Sequence, residues 1–241
     1  MTYCVAMRLE EGLMFVSDSR TNAGVDHIAV FRKLHLFGIE GERVMVLQSS
    51  GNLATSQSVI TLLRQRIQEE EEYTLHTVKN MYEAATLVGE TLREVLKKYK
   101  EQDMDFSCSL LLGGQIVGEE PKLFNIYSQG NFIAATQDTP YFQIGESKYG
   151  KPILDRALNY FTPIDKALRC AFISFDSTIR SNLSVGTPLD LLVYSKGSFT
   201  LPKGRRLYDD DPYFHMIRTQ WSEGLKQVLS QLPSPPSDYW Q

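Results

Sequence analysis

The sequence has few of the features that mark several protein classes. Its three cysteines are too few and too far apart for a disulfide framework or a zinc site. No apolar run approaches the ~18 residues of a membrane span, and charged residues interrupt the stretch where a signal peptide would be apolar. Glycine (16) and proline (10) are at ordinary levels, which excludes collagen and low-complexity disorder. The net charge of −4 argues against a nucleic-acid-binding surface. Together these features predict a cytoplasmic globular protein with no nucleic-acid or membrane partner.

The apolar residues change their period along the chain, which predicts the secondary structure. Strand patterns lie at 3–7, 13–16, 34–37, 44–47, 106–112, 122–127, 132–135, 141–144, 189–194 and 198–201. Helical spacing lies at 59–67, 81–96, 152–160, 164–175 and 212–232. Ser50 or Asn52 is suited to cap the first helix, and Asp209-Asp210-Asp211-Pro212 reads as the start of the last one.

The order of these elements favours one architecture. Strands, two helices, strands, two helices, strands and a final helix fit two antiparallel sheets packed face to face, with a helix layer outside each. We therefore predict the α+β class and a four-layer αββα sandwich. We also predict a single domain over residues 1–241, with a C-terminal helix and a proline-rich tail from about residue 205.

The N-terminus carries the first candidate for chemistry. Thr2 follows Met1, and a small second residue favours removal of the initiator methionine. Thr2 would then have a free α-amine, which is partly neutral near its pKa of ~8 and can accept a proton from the hydroxyl of the same residue. Most chains that begin Met-Thr make no use of that threonine, so this feature alone leaves the question open.

Three polar segments follow the early strand patterns: Ser17–Gly24, Phe31–Lys33 and Ser49–Asn52. Together with Thr2 they resemble the β subunits of the proteasome and the bacterial HslV peptidase, which belong to the N-terminal-nucleophile hydrolases. The openings Met1–Arg8 and Val16–Asp26 look most like the bacterial Anbu group. Without that resemblance, Asp18 and Arg20 could be a turn ion pair and Lys33 a solvated lysine.

The resemblance implies a role for each matching residue. Thr2 would be the nucleophile, with its α-amine as general base, and Asp18 would hold Lys33, whose charge favours the deprotonated hydroxyl. The backbone N–H of Gly51 would stabilise the oxyanion. The remaining candidates are Asn182 and Ser184 as supporting catalytic residues, Ser147 as a further support, and Asn22, Ser49 and Leu53 as substrate-binding residues.

The resemblance also implies a threonine-type peptidase that needs no cofactor, metal or nucleotide. It would act on peptides or unfolded proteins within a homo-oligomeric ring or short helical assembly, and an ATP-dependent unfoldase partner is left open. Two departures from the family pattern keep an inactive scaffold subunit as an alternative. Glu146 stands where a serine is expected after Gly145, and Asn182 stands where a carboxylate is expected. A hydrolase of small amides is a second alternative.

One motif points to a different chemistry and is set aside. Residues 145–151 fit the first seven positions of a phosphate-binding loop. Pro152 occupies the eighth position, where a hydroxyl would bind Mg²⁺, and proline also lacks a backbone donor. We therefore expect an ordinary loop that leads into a helix.

Overall fold

The structure is a computed structural model that describes residues 2–22, 28–99 and 105–240. Its strands are β1 (Tyr3–Leu9), β2 (Gly12–Asp18), β3 (Arg20–Asn22), β4 (Ile28–Val30), β5 (Leu34–Ile39), β6 (Arg43–Gly51), β7 (Cys108–Ile116), β8 (Lys122–Ile126), β9 (Phe132–Ala134), β10 (Tyr141–Gly145), β11 (Leu189–Ser195) and β12 (Arg205–Leu207). Its helices are α1 (Leu53–Gln68), α2 (Met81–Lys97), α3 (Lys151–Ala157), α4 (Ile164–Ser181), α5 (Pro212–Gln231) and a 3₁₀ turn at Ser237–Tyr239.

Two antiparallel five-stranded sheets form the centre of the molecule. The first has the order β10-β1-β2-β11-β12 and the second has the order β5-β6-β7-β8-β9. The short strands β3 and β4 form a separate ribbon, which the sequence patterns do not predict. Most sequence-predicted strands are confirmed, including the hairpin in which Val5 pairs with Val16.

Alternation along β1 explains how the layers are held together. Tyr3, Val5 and Met7 pack in a core with helices α3 to α5, while Cys4 and Ala6 face the second sheet. On β2, Phe15 is fully buried in this core between the sheets, and burying such a side chain stabilises by roughly 2–3 kcal/mol. A third core lies between the second sheet and helices α1 and α2. The predicted αββα sandwich is confirmed.

Polar side chains cap the helices where the sequence has them. The Asn52 side chain accepts a hydrogen bond from the backbone N–H of Thr55 (3.1 Å), and Asn80 does the same for Glu83 (2.8 Å). Asp211 caps α5 through the N–H of Phe214 (3.0 Å). The predicted starts of α1 and α5 are therefore confirmed, whereas α4 runs to Ser181, beyond its predicted end at residue 175.

The predicted final hairpin of residues 189–194 and 198–201 is correct in its first strand and wrong in its second. Strand β11 is present, but it pairs with β12 at Arg205–Leu207 and not with residues 198–201. Phe199 has a φ of +47°, which breaks an extended strand, and its carbonyl oxygen accepts from the N–H of Gly41 (2.9 Å). The N–H of Leu201 donates to Glu40 (2.9 Å). The segment is bonded to the β5–β6 turn of the other sheet, so it cannot pair with β11.

Helix α5 is anchored only near its start. Phe214 is fully buried against α4, and Arg218 Nε contacts Asp176 Oδ1 of α4 at 2.7 Å. Trp221 is half-buried, and beyond it the apolar side chains are exposed, among them Leu225, Val228 and Leu229. Among the residues that the structure describes, no helix is both long and apolar enough to cross a bilayer.

Candidate active site

Backbone and side-chain contacts fix the start of the chain on both sides. The N–H of Tyr3 donates to Asp18 Oδ1 (3.0 Å) on β2. The carbonyl oxygen of Thr2 accepts from the N–H of Glu146 (2.7 Å), which follows β10. Thr2 is therefore held as an extension of β1 between two strands, and it is buried. Met1 lies outside the described residues.

A buried ion pair lies next to the start of β1. Lys33 Nζ donates to Asp18 Oδ1 (2.7 Å) and to the carbonyl oxygen of Arg20 (2.6 Å), and both charged side chains are buried. Burial raises the pKa of the Asp18 carboxyl above its usual range, while the Lys33 ammonium and the Tyr3 N–H oppose that rise. Two acceptors fix the position of the ammonium, so the lysine presents a charge at a defined place.

The junction of β6 and α1 supplies a turn that only glycine can make. Gly51 has a φ of +105°, and a Cβ there would collide with the carbonyl oxygen of Ser107. The N–H of Asn52 donates to that same oxygen (2.9 Å), and the Asn52 side chain begins α1. The turn thus places backbone next to the positive end of a helix dipole.

These elements surround one cavity of about 620 Å³. The sequence-predicted residues that line it are Thr2, Lys33, Ser49, Gly51 and Leu53. Asp18 is joined to them through Lys33. Further lining comes from Thr21, Ser50, Ser56 and Gly145, and from Ser107–Ser109 on β7. A hydroxyl, a cation and a helix-end backbone therefore face the same space, which is the arrangement that attack on a carbonyl group requires.

Among the described side chains, those of Asn182, Ser184 and Ser147 are not part of the lining of this cavity. Asn182 caps the C-terminus of α4 and donates to Glu146 Oε2 (2.9 Å), and its Oδ1 accepts from the N–H of Ser184 (2.9 Å). Ser147 lines a different cavity, of about 450 Å³. The backbone of Asn22 ends β3, and its side chain lies outside the described part of the chain.

Glu146, which the sequence pattern marks only as a departure from the family, lies close to the start of β1. The side chain is 4% exposed, next to Thr2 on the neighbouring strand end. The available signal was an acidic residue directly after a strand pattern and a glycine. Only the fold shows that Asn182, far along the chain, bonds to its carboxylate.

The segment that resembles a phosphate-binding loop has another structure. Lys151 begins the short helix α3, and its ammonium contacts Asp155 Oδ1 on that helix (2.8 Å). Within the described ranges, no cluster of three or more His, Cys, Asp or Glu side chains is arranged to hold a metal ion.

Comparison with known families identifies the class to which this fold and cavity belong. The proteasome subunit family model matches residues 2–187, so the chain belongs to the proteasome subunit family, and within it to the bacterial Anbu type. No curated protein sequence matches the chain.

Solved structures that are similar to this chain carry the Anbu name. The helical assembly of the Anbu complex from Pseudomonas aeruginosa is 61% identical, with a TM-score of 0.96 over 98% of this chain and 99% of that one. Anbu (ancestral beta-subunit) from Yersinia bercovieri is 62% identical, with a TM-score of 0.93 and the same coverage. An Anbu (Gly-1) mutant from Hyphomicrobium sp. strain MC1 is 47% identical, with a TM-score of 0.93 over 98% of this chain and 100% of that one.

Proposed function

We propose that this protein is a threonine peptidase that cleaves peptide bonds with Thr2 after Met1 has been removed. One observation carries the proposal: Thr2, Lys33 and the Gly51 turn face the same cavity, and Asp18 holds both Lys33 and the N–H of Tyr3. Membership of the proteasome subunit family, whose fold supports N-terminal-nucleophile chemistry, agrees with it.

The proposed reaction has two stages. Thr2 Oγ attacks the carbonyl carbon of the peptide bond, and the hydroxyl proton passes to the Thr2 α-amine. The oxyanion accepts a hydrogen bond from the N–H of Gly51, and the tetrahedral intermediate collapses as the leaving amine takes up the proton. A water molecule then attacks the resulting Thr2 ester and gives a proton to the α-amine. As the ester C–O bond breaks, the ammonium returns that proton to Thr2 Oγ, which releases the carboxylic acid and restores the free hydroxyl and the neutral amine.

Lys33 acts on the nucleophile through its charge. A cation next to the Thr2 hydroxyl lowers the free energy of the alkoxide relative to the alcohol. Lys33 can do this because Asp18 and the carbonyl oxygen of Arg20 fix its ammonium. Ser49 and Leu53 line the cavity beside the Gly51 turn, so we assign them to contacts with the substrate side chain.

The proposed activity belongs to an assembly of copies of this chain. The similar Pseudomonas aeruginosa protein forms a helical assembly, and we propose a homo-oligomer here as well, with peptides or unfolded proteins as substrates. We place the protein in the cytoplasm, where thiols stay reduced. Cys4, Cys108 and Cys170 are unpaired and buried, in agreement with that location.

The deciding experiment combines intact mass, covalent labelling and turnover. We expect loss of Met1, one adduct of a threonine-directed inhibitor on Thr2, and hydrolysis of fluorogenic peptides. Thr2→Ala should lower kcat/KM by about 10³-fold or more, because it removes the nucleophile. Thr2→Ser is the matched control, since it keeps a hydroxyl and should retain measurable turnover.

Three outcomes separate the alternatives. Undiminished peptide hydrolysis by Thr2→Ala would overturn the mechanism. Retained Met1 with no adduct and no turnover would favour the scaffold subunit, because no α-amine would then be available on Thr2. Labelling of Thr2 with turnover of simple amides but not of peptides would favour the small-amide hydrolase.

A further inference from the structure

We propose that the carboxylate of Glu146 accepts a hydrogen bond from the α-amine of mature Thr2 and thereby sets the protonation of that amine, with Asn182 as the positioning residue for Glu146. The proposal rests on the proposed function, since it names the group that holds the general base. In the reaction the amine becomes an ammonium when it takes the hydroxyl proton, and a carboxylate beside it would stabilise that charge.

The strand register places Glu146 next to Thr2. Tyr3 lies opposite Gly145 in the β1–β10 pair, and the N–H of Glu146 donates to the carbonyl oxygen of Thr2 (2.7 Å). Gly145 has a φ of +84° and packs so closely that a Cβ would collide with the same Thr2 oxygen. Residues that face each other across neighbouring strands have their Cβ atoms about 5 Å apart. The Glu146 side chain therefore starts within reach of the Thr2 amine.

One oxygen of the Glu146 carboxylate lacks a donor. Oε2 accepts from Asn182, whereas Oε1 is buried and has no hydrogen-bond partner among the described residues. Leaving a buried acceptor without a donor costs about 1–3 kcal/mol, and more for a charged group. The Lys148 ammonium is 4.0 Å away, but its side chain is 76% exposed and therefore well hydrated. Removal of Met1 would add N–H donors at Thr2, which satisfies this oxygen.

Asn182 is suited to position that carboxylate. Its Oδ1 accepts from the N–H of Ser184 (2.9 Å), which orients the amide so that Nδ2 donates to Glu146 (2.9 Å). An aspartate at 182 would set two carboxylates against each other, which is unfavourable when both are charged. The carboxylate that the family pattern predicts at 182 is instead supplied from the neighbouring strand end, by Glu146.

Charged side chains from several elements act on the Thr2 amine, and the sign of each charge tells whether it favours the protonated amine. Asp18 and Glu146 favour the ammonium, whereas Lys33, Arg20 and Lys148 oppose it. Lys33 lines the same cavity as Thr2, and Arg20 is held at the α4–β11 loop by the carbonyl oxygen of Leu183 (2.9 Å). Replacing Glu146 by glutamine removes one of the two negative charges and keeps the shape. The amine should then lose its proton at lower pH.

The test measures the amine directly. The full chain is released from a cleavable N-terminal fusion so that Thr2 is its first residue. The rate of acetylation of its α-amine by limiting acetic anhydride is then followed against pH by mass spectrometry of the N-terminal peptide. Wild type should reach half-maximal reactivity at a pH about one unit higher than Glu146→Gln. Glu146→Asp should lie between them, and Asn182→Ala should move part of the way towards Glu146→Gln. Lys151→Gln is the matched control, because that exposed lysine pairs with Asp155 and does not contact Glu146, and its midpoint should stay within about 0.3 units of wild type.

The outcomes are distinct from those of the proposed function. Equal midpoints for wild type and Glu146→Gln, with circular dichroism spectra that match, would overturn the role of Glu146 even if Thr2 proves to be the nucleophile. A shifted midpoint in a protein that hydrolyses nothing would support the contact and contradict only the peptidase proposal. If Glu146→Gln fails to fold, Glu146→Asp and Asn182→Ala carry the test, and unchanged midpoints in both would also overturn it.

Discussion

At the scale of single residues, Asp18 and Lys33 form a buried ion pair, and Lys33 lines the same cavity as Thr2. The pair is taken out of water, and each partner compensates the charge of the other at 2.7 Å. Breaking such a pair by removing one partner typically costs about 3–5 kcal/mol, because it leaves an uncompensated buried charge. Here the remaining Asp18 can take up a proton, since burial already raises its pKa.

We expect Lys33→Met to lower peptide turnover by at least about 100-fold, because the nucleophile loses its neighbouring cation. Lys151→Met is the matched control: that lysine also contacts an aspartate, Asp155 at 2.8 Å, but the pair is exposed and outside the cavity. Its turnover should stay within about twofold of wild type. Steady-state kinetics on a fluorogenic peptide measures both variants.

A double variant, Asp18→Asn with Lys33→Met, separates catalysis from folding. It removes both charges, so it should be more stable to urea than Lys33→Met alone and equally inactive. Wild-type turnover in a folded Lys33→Met protein would contradict the catalytic role of Lys33 and leave the Asp18–Lys33 pair with a structural role.

Most of the cavity-lining candidates could be predicted from the sequence, because they lie in short segments that resemble a known family. The family resemblance points to Thr2, Lys33, Ser49, Gly51 and Leu53, and the fold brings them to one cavity. Glu146 is missed because its burial depends on α4 and on the amide of Asn182, contacts that no local pattern encodes.

At the scale of elements, sequence prediction is also limited by contacts between segments that are distant along the chain. β1 and β2 pair as predicted, because the turn at Glu10–Glu11 that joins them is short enough to form a hairpin. Residues 198–201 have a strand pattern too, yet Phe199 and Leu201 bond to the β5–β6 turn of the other sheet. These hydrogen bonds to the other sheet prevent residues 198–201 from pairing with β11. The sequence of the segment itself does not reveal them.

Strand β5 also carries a group that ties stability to pH. Burial, with Arg64 and Arg32 nearby, lowers the pKa of His35 to about 4, although Asp190 acts in the opposite direction. His35 is therefore protonated near pH 6.5 in the unfolded chain, but only near pH 4 in the folded chain. The free energy of unfolding should fall by up to about 3 kcal/mol as the pH drops through this window.

His35→Gln removes that proton and should flatten the decline between pH 6.5 and pH 4.5. Urea unfolding followed by fluorescence at several pH values measures the slope. His215→Gln, at an exposed position of α5, is the control and should keep the wild-type slope. An identical slope in wild type and His35→Gln would contradict the assignment.

At the scale of the whole molecule, three cores among the described residues hold four layers together, and α5 contacts them near its start. Phe214 is fully buried, whereas Leu229 is 71% exposed. The same change should therefore have different costs at the two positions. Phe214→Ala should lower the free energy of unfolding by about 3 kcal/mol or more, and Leu229→Ala by less than about 0.5 kcal/mol.

Urea midpoints of the two variants, measured side by side at one protein concentration, test this difference. A comparable loss in Leu229→Ala would mean that the far end of α5 is covered in solution, and the cost should then depend on protein concentration.

Helix α5 contacts α4 near one end, through Arg218 and Asp176, so this contact is the pivot of any tilt of the helix. From Arg218 to Leu232 the helix extends roughly 21 Å at 1.5 Å per residue. A tilt of about 10° at the pivot would carry the far end through roughly 4 Å over that length. The direction in which Leu225, Val228 and Leu229 extend away from the sandwich is therefore set at the opposite end of the helix, by Phe214 and by the contact between Arg218 and Asp176.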